Sequence, residues 1–200
     1  MREDRGIEVV ILCGGRATRC RDKLERPLAE IPMVVRAYRN VCGEYPVVLC
    51  QSRPFRASVA AQLGGRIVFD RSREAGPLAA LRSALPFLRE RRAFIVAADM
   101  PFVHLGVLRE LRERWRVTDE AIVALGRDGN PQPLLGLYDR PAFMRAAAAL
   151  NGKGAGVKDV LRRLKWRGAV LQDEDVMLNV NTEADYAAAL RRCARVAVAG

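Results

Sequence analysis

What most constrains this chain is an alternation repeated four times in its first 115 residues: a short apolar, β-branched run, then a longer stretch of helical period. Ile7–Cys13 reads as the first strand, with Val9–Cys13 running unbroken into Gly14-Gly15. A loop to about Ile31 leads to a helix over Pro32–Cys42, with Pro in its first turn and Gly43 past its end. Val47–Cys50, Ile67–Phe69 and Ala93–Ala98 are the next three strands. Helices over Phe55–Leu63, around Leu78, Leu81 and Leu85, and over Leu105–Trp115 follow them. Strands joined this way need right-handed crossovers, so the spacing predicts a parallel sheet with helices on both faces.

The second half is less regular. Ala121–Leu125 and Leu134–Tyr138 flank the turn-rich Gly126–Gly129 and read as an antiparallel pair. Helices are expected over Pro141–Leu150, Val157–Lys165 and Glu183–Cys193, the last capped by Thr182. With no repeat, low-complexity tract or linker, residues 1–200 read as one domain. The longest apolar run, Ala93–Ala98, is far short of the ~20 residues that span a bilayer. The few apolar residues before Gly14 are too short for a signal-peptide core. A cytoplasmic protein with no membrane partner is expected.

The net charge is +11, and 30 of the 34 basic residues are Arg. That excess suits an anionic partner, whether nucleic acid, membrane surface or phosphorylated metabolite, or simply an Arg-rich surface. Arg is spread along the chain without a basic block. Aromatics are only 6%, with no recognition-helix or stacking pattern, so a nucleic-acid partner is not expected. The five cysteines contain no CxxC pair or zinc spacing and read as reduced thiols.

In an open α/β sheet, ligands bind at the carboxyl ends of the strands, beside the point where strand order reverses. Four distinctive groups follow the first four strands: Gly14-Gly15-Arg16, Cys50–Arg53, Asp70 and Asp99. Glycines let backbone N–H groups approach phosphate oxygens, and Arg16, Arg19 and Lys23 supply charge, although Gly-Gly is also an ordinary turn. The loop matches neither Walker A nor GxGxxG. Lys23 stands out as one of four lysines, a compact charge of the kind that binds phosphate. Asp99 closes a strand just before Met100-Pro101, and Mg²⁺ needs only one or two carboxylates when phosphates and water complete its shell. Asp70 is a weaker candidate for the same edge and equally a turn former. Gly76-Pro77-Leu78 opens a helix whose N–H groups could meet an anion. His104, the lone histidine, reads as structural at a helix start. Gly152–Lys158 reads as a flexible approach to a helix or a second anion site. Asn179 and Asn181 project alike from an extended segment and could bind a ligand or hydrated metal.

These residues resemble the molybdenum cofactor guanylyltransferases. Leu12–Lys23 is similar to that family's Leu-Ala-Gly-Gly…Asp-Lys loop, and the match continues in family order. It runs through Asp70…Gly76-Pro77-Leu78, Asp99-Met100-Pro101-Phe102, Gln132-Pro133-Leu134 and Asn179-Val180-Asn181-Thr182. The resemblance implies a Rossmann-like three-layer sandwich with a mostly parallel sheet, the nucleotidyltransferase fold. It implies transfer of GMP from GTP to the phosphate of molybdopterin cofactor, with the N-terminal half binding GTP and the C-terminal half the acceptor.

Carried across by motif, the nucleotide site would comprise Leu12, Cys13, Gly14, Gly15, Lys23, Asp70, Gly76, Pro77, Leu78 and Asp99. Arg19, Lys23 and Asp99 would be catalytic, Asp99 would hold Mg²⁺, and Asn179 and Asn181 would meet the acceptor. GTP, the pterin and molybdoenzyme-maturation proteins are the implied partners. The chain departs from the family in four ways. Cys13 and Cys20 replace Ala and Met, the loop is one residue shorter, Cys50 stands where some members place Asn, and Glu183 replaces Pro. Cytidylyl transfer to the pterin, guanylyl transfer to another phosphorylated acceptor and, more distantly, a basic nucleic-acid module are the alternatives.

Overall fold

The computed structural model describes residues 6–14, 23–70, 72, 76–150 and 154–199, with the backbone alone at 174 and 196–199. Its centre is a seven-stranded sheet in the order β5-β4-β1-β6-β8-β7-β9. The strands are β1 Ile7–Cys13, β4 Val47–Gln51, β5 Arg66–Phe69, β6 Arg92–Ala97, β7 Ala121–Leu125, β8 Pro131–Asp139 and β9 Trp166–Ala169. β1 pairs in parallel with both β4 and β6, so strand order reverses there, and β4 pairs in parallel with β5. β8 is antiparallel to β6 and β7, and β9 is parallel to β7, leaving β8 as the single reversed strand. The expected antiparallel pair is therefore present, and it sits within a mostly parallel sheet.

Burial on both faces explains the apolar composition of the central strands. On one side Val9, Ile11, Leu49, Phe94 and Val96 pack with Val35 of α1 (Met33–Val41), Val59 of α2 (Ala57–Ala60) and Leu108 and Leu111 of α4 (Leu105–Glu113). On the other, Val10, Val48, Ile95 and Val123 meet Leu81 of α3 (Pro77–Ala84), Phe143 of α5 (Arg140–Ala148) and Val160 of α6 (Val157–Leu161). Each such side chain contributes about 1.5–3 kcal/mol when fully buried. A third cluster, Leu28, Met33, Phe102, Val180, Tyr186 and Ala189, seats α7 (Glu183–Ala199) beside the sheet.

Several local expectations are corrected. The loop before Ile31 contains a small antiparallel pair, β2 Pro27–Leu28 and β3 Ile31–Pro32. Its turn holds Ala29 (φ 46°) and Glu30 (φ 68°) in the left-handed region without a glycine. α2 is shorter than Phe55–Leu63, because only Val59 on it is buried and no second apolar turn extends it. α6 stops at Leu161, well before Lys165, whose carbonyl instead accepts Glu120 N–H at 2.8 Å as the ladder toward β9 begins. β8 starts three residues early, at Pro131, and its pairing with β7 shifts register between Val123 and Ala124.

Candidate active site

Every parallel strand that carries a distinctive residue at its end delivers it to the same edge of the sheet. β1 ends at Cys13 and passes into Gly14, whose φ of 129° suits glycine alone. β4 ends at Gln51 and Ser52, and Ser52 Oγ lies 3.9 Å from where a Gly14 side chain would begin. β5 leads to Asp70, whose N–H donates to Gln51 O at 2.8 Å. β6 leads to Asp99, with Ala98 N–H still bonded to Leu12 O at 3.0 Å. The predicted convergence is real, and it centres on the reversal point between β1 and β6.

At that point Lys23, in the short 3-10 turn Lys23–Glu25, reaches back over the strand ends. Its ammonium donates to Asp99 Oδ2 at 3.1 Å and to Asn181 Oδ1 at 2.8 Å. Both Lys23 and Asp99 are largely shielded from solvent, which strengthens a charge-assisted contact. The Asn179–Asn181 segment is held by Val180 N–H donating to Asp99 O at 2.9 Å. Beyond it, Asp185 Oδ2 accepts the N–H groups of Asn181 and Thr182 at 2.9 and 2.8 Å, while Thr182 Oγ1 accepts Asp185 N–H at 3.1 Å. This reciprocal cap joins α7 to the site. The Asn181 N–H bond, the Thr182 bonds and the nearby Lys23 charge hold the Asp185 carboxyl below its usual range.

Three predicted nucleotide residues have buried side chains. Leu12 and Cys13 point into opposite cores, and Leu78 is packed within α3, so only the backbone of these positions is available to a ligand. Burial above all, with Cys50 nearby, pushes the Cys13 thiol far up, which makes it a poor nucleophile. Gly76 precedes α3 at φ 110° with Pro77 in the first turn, as expected. Asp70 and Asp99 follow strands three positions apart, β5 and β6, and three strand spacings amount to roughly 14 Å, the scale of one nucleotide. Gly15, Arg16 and Arg19 lie outside the described residues, as does Lys153.

Sequence reasoning passed over Ser83 and Asp185, and marked Gln51 only as part of the group Cys50–Arg53. Gln51 is 3% exposed, and its Oε1 has no hydrogen-bond partner. Ser83 Oγ donates to Asp70 Oδ1 at 2.8 Å, and Ser72 N–H donates to the same oxygen at 2.9 Å. The Thr-x-x-Asp spacing of 182–185 was the available signal for Asp185; Ser83 had none, because its role depends on how α3 packs against β5. His104 caps α4 through Nδ1, which accepts Gly106 N–H at 3.1 Å, so its role is structural.

Among the described residues, no group of three or more His, Cys, Asp or Glu side chains could hold a metal. The oxygens around Asp99 nevertheless fit a hard cation carrying phosphates. Asn179 Oδ1 is buried without a partner, and Asn181 and Asp99 add further oxygens. Such a set suits Mg²⁺, which keeps several waters and takes few protein ligands.

The model of the MobA-like NTP transferase domain matches residues 9–169. A probable molybdenum cofactor guanylyltransferase of Carboxydothermus hydrogenoformans is 27% identical over 191 residues, covering 90% of this chain and 93% of that protein. The molybdenum cofactor guanylyltransferase of Pseudomonas fluorescens is 26% identical over 181 residues, covering 87% and 88%. In structure, the molybdopterin-guanine dinucleotide biosynthesis protein A of Archaeoglobus fulgidus superposes with a TM-score of 0.76 at 22% identity, covering 94% of this chain and 99% of that one. A nucleotidyl transferase of Methanothermobacter gives the same TM-score at 16% identity over 96% and 99% of the two chains. Because the family model matches residues 9–169, most of the chain, this chain belongs to the MobA-like NTP transferase domain family.

Proposed function

We propose that this protein transfers GMP from GTP to the phosphate of molybdenum-bound molybdopterin, releasing pyrophosphate and forming the guanine dinucleotide cofactor. The observation that carries the reading is the contact of Lys23 with both Asp99 and Asn181 at the sheet's reversal point. The guanylyltransferase names of the relatives support the choice of nucleotide and acceptor.

The chemistry asks for positioning and charge more than for proton transfer. The acceptor is a phosphate monoester whose second pKa, near 6 by analogy with phosphoserine, leaves it largely dianionic at neutral pH. It can attack the α-phosphate without a general base, consistent with His104 being committed to a helix cap. Lys23 holds the region where the α-phosphate would sit, and Arg19 would add charge from the glycine loop. Gly14, Gly15 and the backbone of Leu12 and Cys13 would line the nucleotide, with Gly76, Pro77 and Leu78 closing its nucleoside end. Asn179 and Asn181 would orient the acceptor. Asp99 would hold Mg²⁺, which supplies positive charge against the α-phosphate and departing pyrophosphate when bound. The whole chain would act as one domain in the cytoplasm, handing its product to molybdoenzyme-maturation proteins.

Pyrophosphate release should be assayed with GTP, CTP and ATP, in the presence of molybdopterin cofactor and with Mg²⁺ or EDTA. The reading predicts release from GTP alone, dependent on both acceptor and metal. A preference for CTP would overturn guanylyl transfer, and full activity in EDTA would remove the metal assignment.

A further inference from the structure

Asp70 is tied down more firmly than a simple turn former needs to be. Its N–H is bound to Gln51 O at 2.8 Å, which fixes its backbone to the end of β4. Its Oδ1 accepts two donors, Ser72 N–H at 2.9 Å and Ser83 Oγ at 2.8 Å. Among the described residues nothing donates to Oδ2, and the residue is half-buried. Nearby, Cys50 Sγ donates to Ala80 O at 3.3 Å, so the thiol at the family's Asn position is already engaged. Burial and the adjacent Asp70 charge push that thiol up to about 12, so it remains protonated there. Among the described residues, this end of the strand row therefore presents open acceptor oxygens, Asp70 Oδ2 and Gln51 Oε1, of which the carboxylate oxygen carries charge and can only accept.

We propose that Ser83 is a specificity-determining positioning residue: by occupying Asp70 Oδ1 it turns Oδ2 toward the nucleoside, where that oxygen selects a ligand edge bearing a hydrogen-bond donor. The inference rests on the guanylyl-transfer reading, because it places the nucleoside across β4 and β5. Two parts of a guanine nucleotide carry such donors, the N1–H and 2-amino edge of the base and the ribose hydroxyls. The base edge fits better, since a fixed acceptor discriminates among bases, whereas every ribonucleotide carries the same diol. A carbonyl in place of the donor would leave two acceptors facing each other and a buried group unpaired.

The test is calorimetric binding of GTP, ITP, XTP and 2′-deoxy-GTP to the wild-type chain, Ser83→Ala and Ser83→Thr, followed by steady-state kinetics. The wild type should bind GTP and 2′-deoxy-GTP alike and lose about tenfold or more on XTP, whose C2 carries a carbonyl. ITP, which keeps N1–H without the 2-amino group, should fall between if both donors are used. Ser83→Ala should raise KM for GTP about five- to tenfold at nearly constant kcat and flatten the GTP-over-XTP preference. Ser83→Thr, which keeps the hydroxyl, should restore both. A merely structural serine would lower thermal stability without moving that preference. The proposal is overturned if Ser83→Ala keeps the wild-type GTP-over-XTP ratio, or if the loss falls on 2′-deoxy-GTP instead. Tighter binding of CTP than GTP by the wild type, by contrast, would remove the guanylyl reading itself and this inference with it.

Discussion

The two edges of the central sheet differ in how far their side-chain oxygens are satisfied. At the edge where β1, β6 and β7 begin, the carboxylates are saturated. Glu8, 1% exposed, pairs with Arg66 and accepts the N–H groups of Arg89 and Glu90 at 2.6 and 2.9 Å. Asp139, where β8 ends, binds Arg91 at 2.7 Å and caps α5 by accepting Ala142 N–H at 2.9 Å. Asp119, just before β7, pairs with Arg167 at 2.7 Å and accepts Arg116 N–H at 2.8 Å. At the opposite edge, Asp70 keeps an open oxygen, and buried oxygens of Gln51 and Asn179 have no partner. A buried polar group left unpaired costs about 1–3 kcal/mol. The first edge therefore stabilises the fold, and the second keeps unpaired acceptors, which the proposed function assigns to a substrate.

Substitutions should separate the two edges. The largest effect is expected at Lys23→Ala, which should lower kcat by about 100- to 1000-fold, the loss typical of one preorganised charge-stabilising donor. Its melting temperature should fall by only a few degrees, since a single partly shielded ion pair contributes about 1 kcal/mol. Asp99→Ala should behave in the same way. Glu8→Ala should do the reverse, costing about 2–4 kcal/mol by removing the acceptor of Arg66 and of the Arg89 and Glu90 N–H groups. For a chain of this size that is a fall in melting temperature on the order of 10 °C, read by calorimetry, with kcat of the folded fraction unchanged. Equal damage to stability and turnover in either variant would erase the distinction.

Acid should strike both edges together. Asp119 is raised by burial, but its Arg167 hydrogen bonds outweigh that and leave it below its usual range; Asp185 is lowered by its N–H bonds. A depressed folded value contributes stability that is complete above the ordinary carboxylate range and lost as pH falls through the folded value. Urea midpoints should accordingly be flat from pH 8 to about 5 and drop below about 4. A maximum below pH 4 would contradict these pairings. The smallest effect belongs to the β2–β3 turn. Replacing Ala29 with Asn and Glu30 with Gly suits two residues at positive φ and should raise stability by about 0.5–1 kcal/mol in thermal denaturation. An unchanged or lower melting temperature would mean that the turn carries no removable strain.

The central strands were legible because they are buried on both faces and so read as apolar runs. Ile7–Cys13 and Ala121–Leu125 match the structure to the residue. β9 was not legible, since Trp166-Arg167-Gly168-Ala169 has no strand pattern of its own. It becomes a strand by pairing with β7 and anchoring Arg167 on Asp119. The β2–β3 pair was hidden for a similar reason, with two-residue strands and no glycine in the turn. At the site, Lys23, Asp70 and Asp99 announced themselves through position after a strand or rarity of type. Gln51 and Ser83 did not, because a polar residue in a strand or helix interior gains its meaning only from what surrounds it.

The central claim is that the open edge is a guanylyl-transfer centre, and one measurement addresses it directly. GTP labelled at the α-phosphate is incubated with molybdenum-molybdopterin, Mg²⁺ and either wild-type protein or Lys23→Ala at equal folded concentration. The account predicts label moving into a pterin–guanine dinucleotide at a one-to-one ratio with pyrophosphate, and nearly none with the variant. Label appearing in free GMP alone, or equal transfer by both proteins, would contradict it.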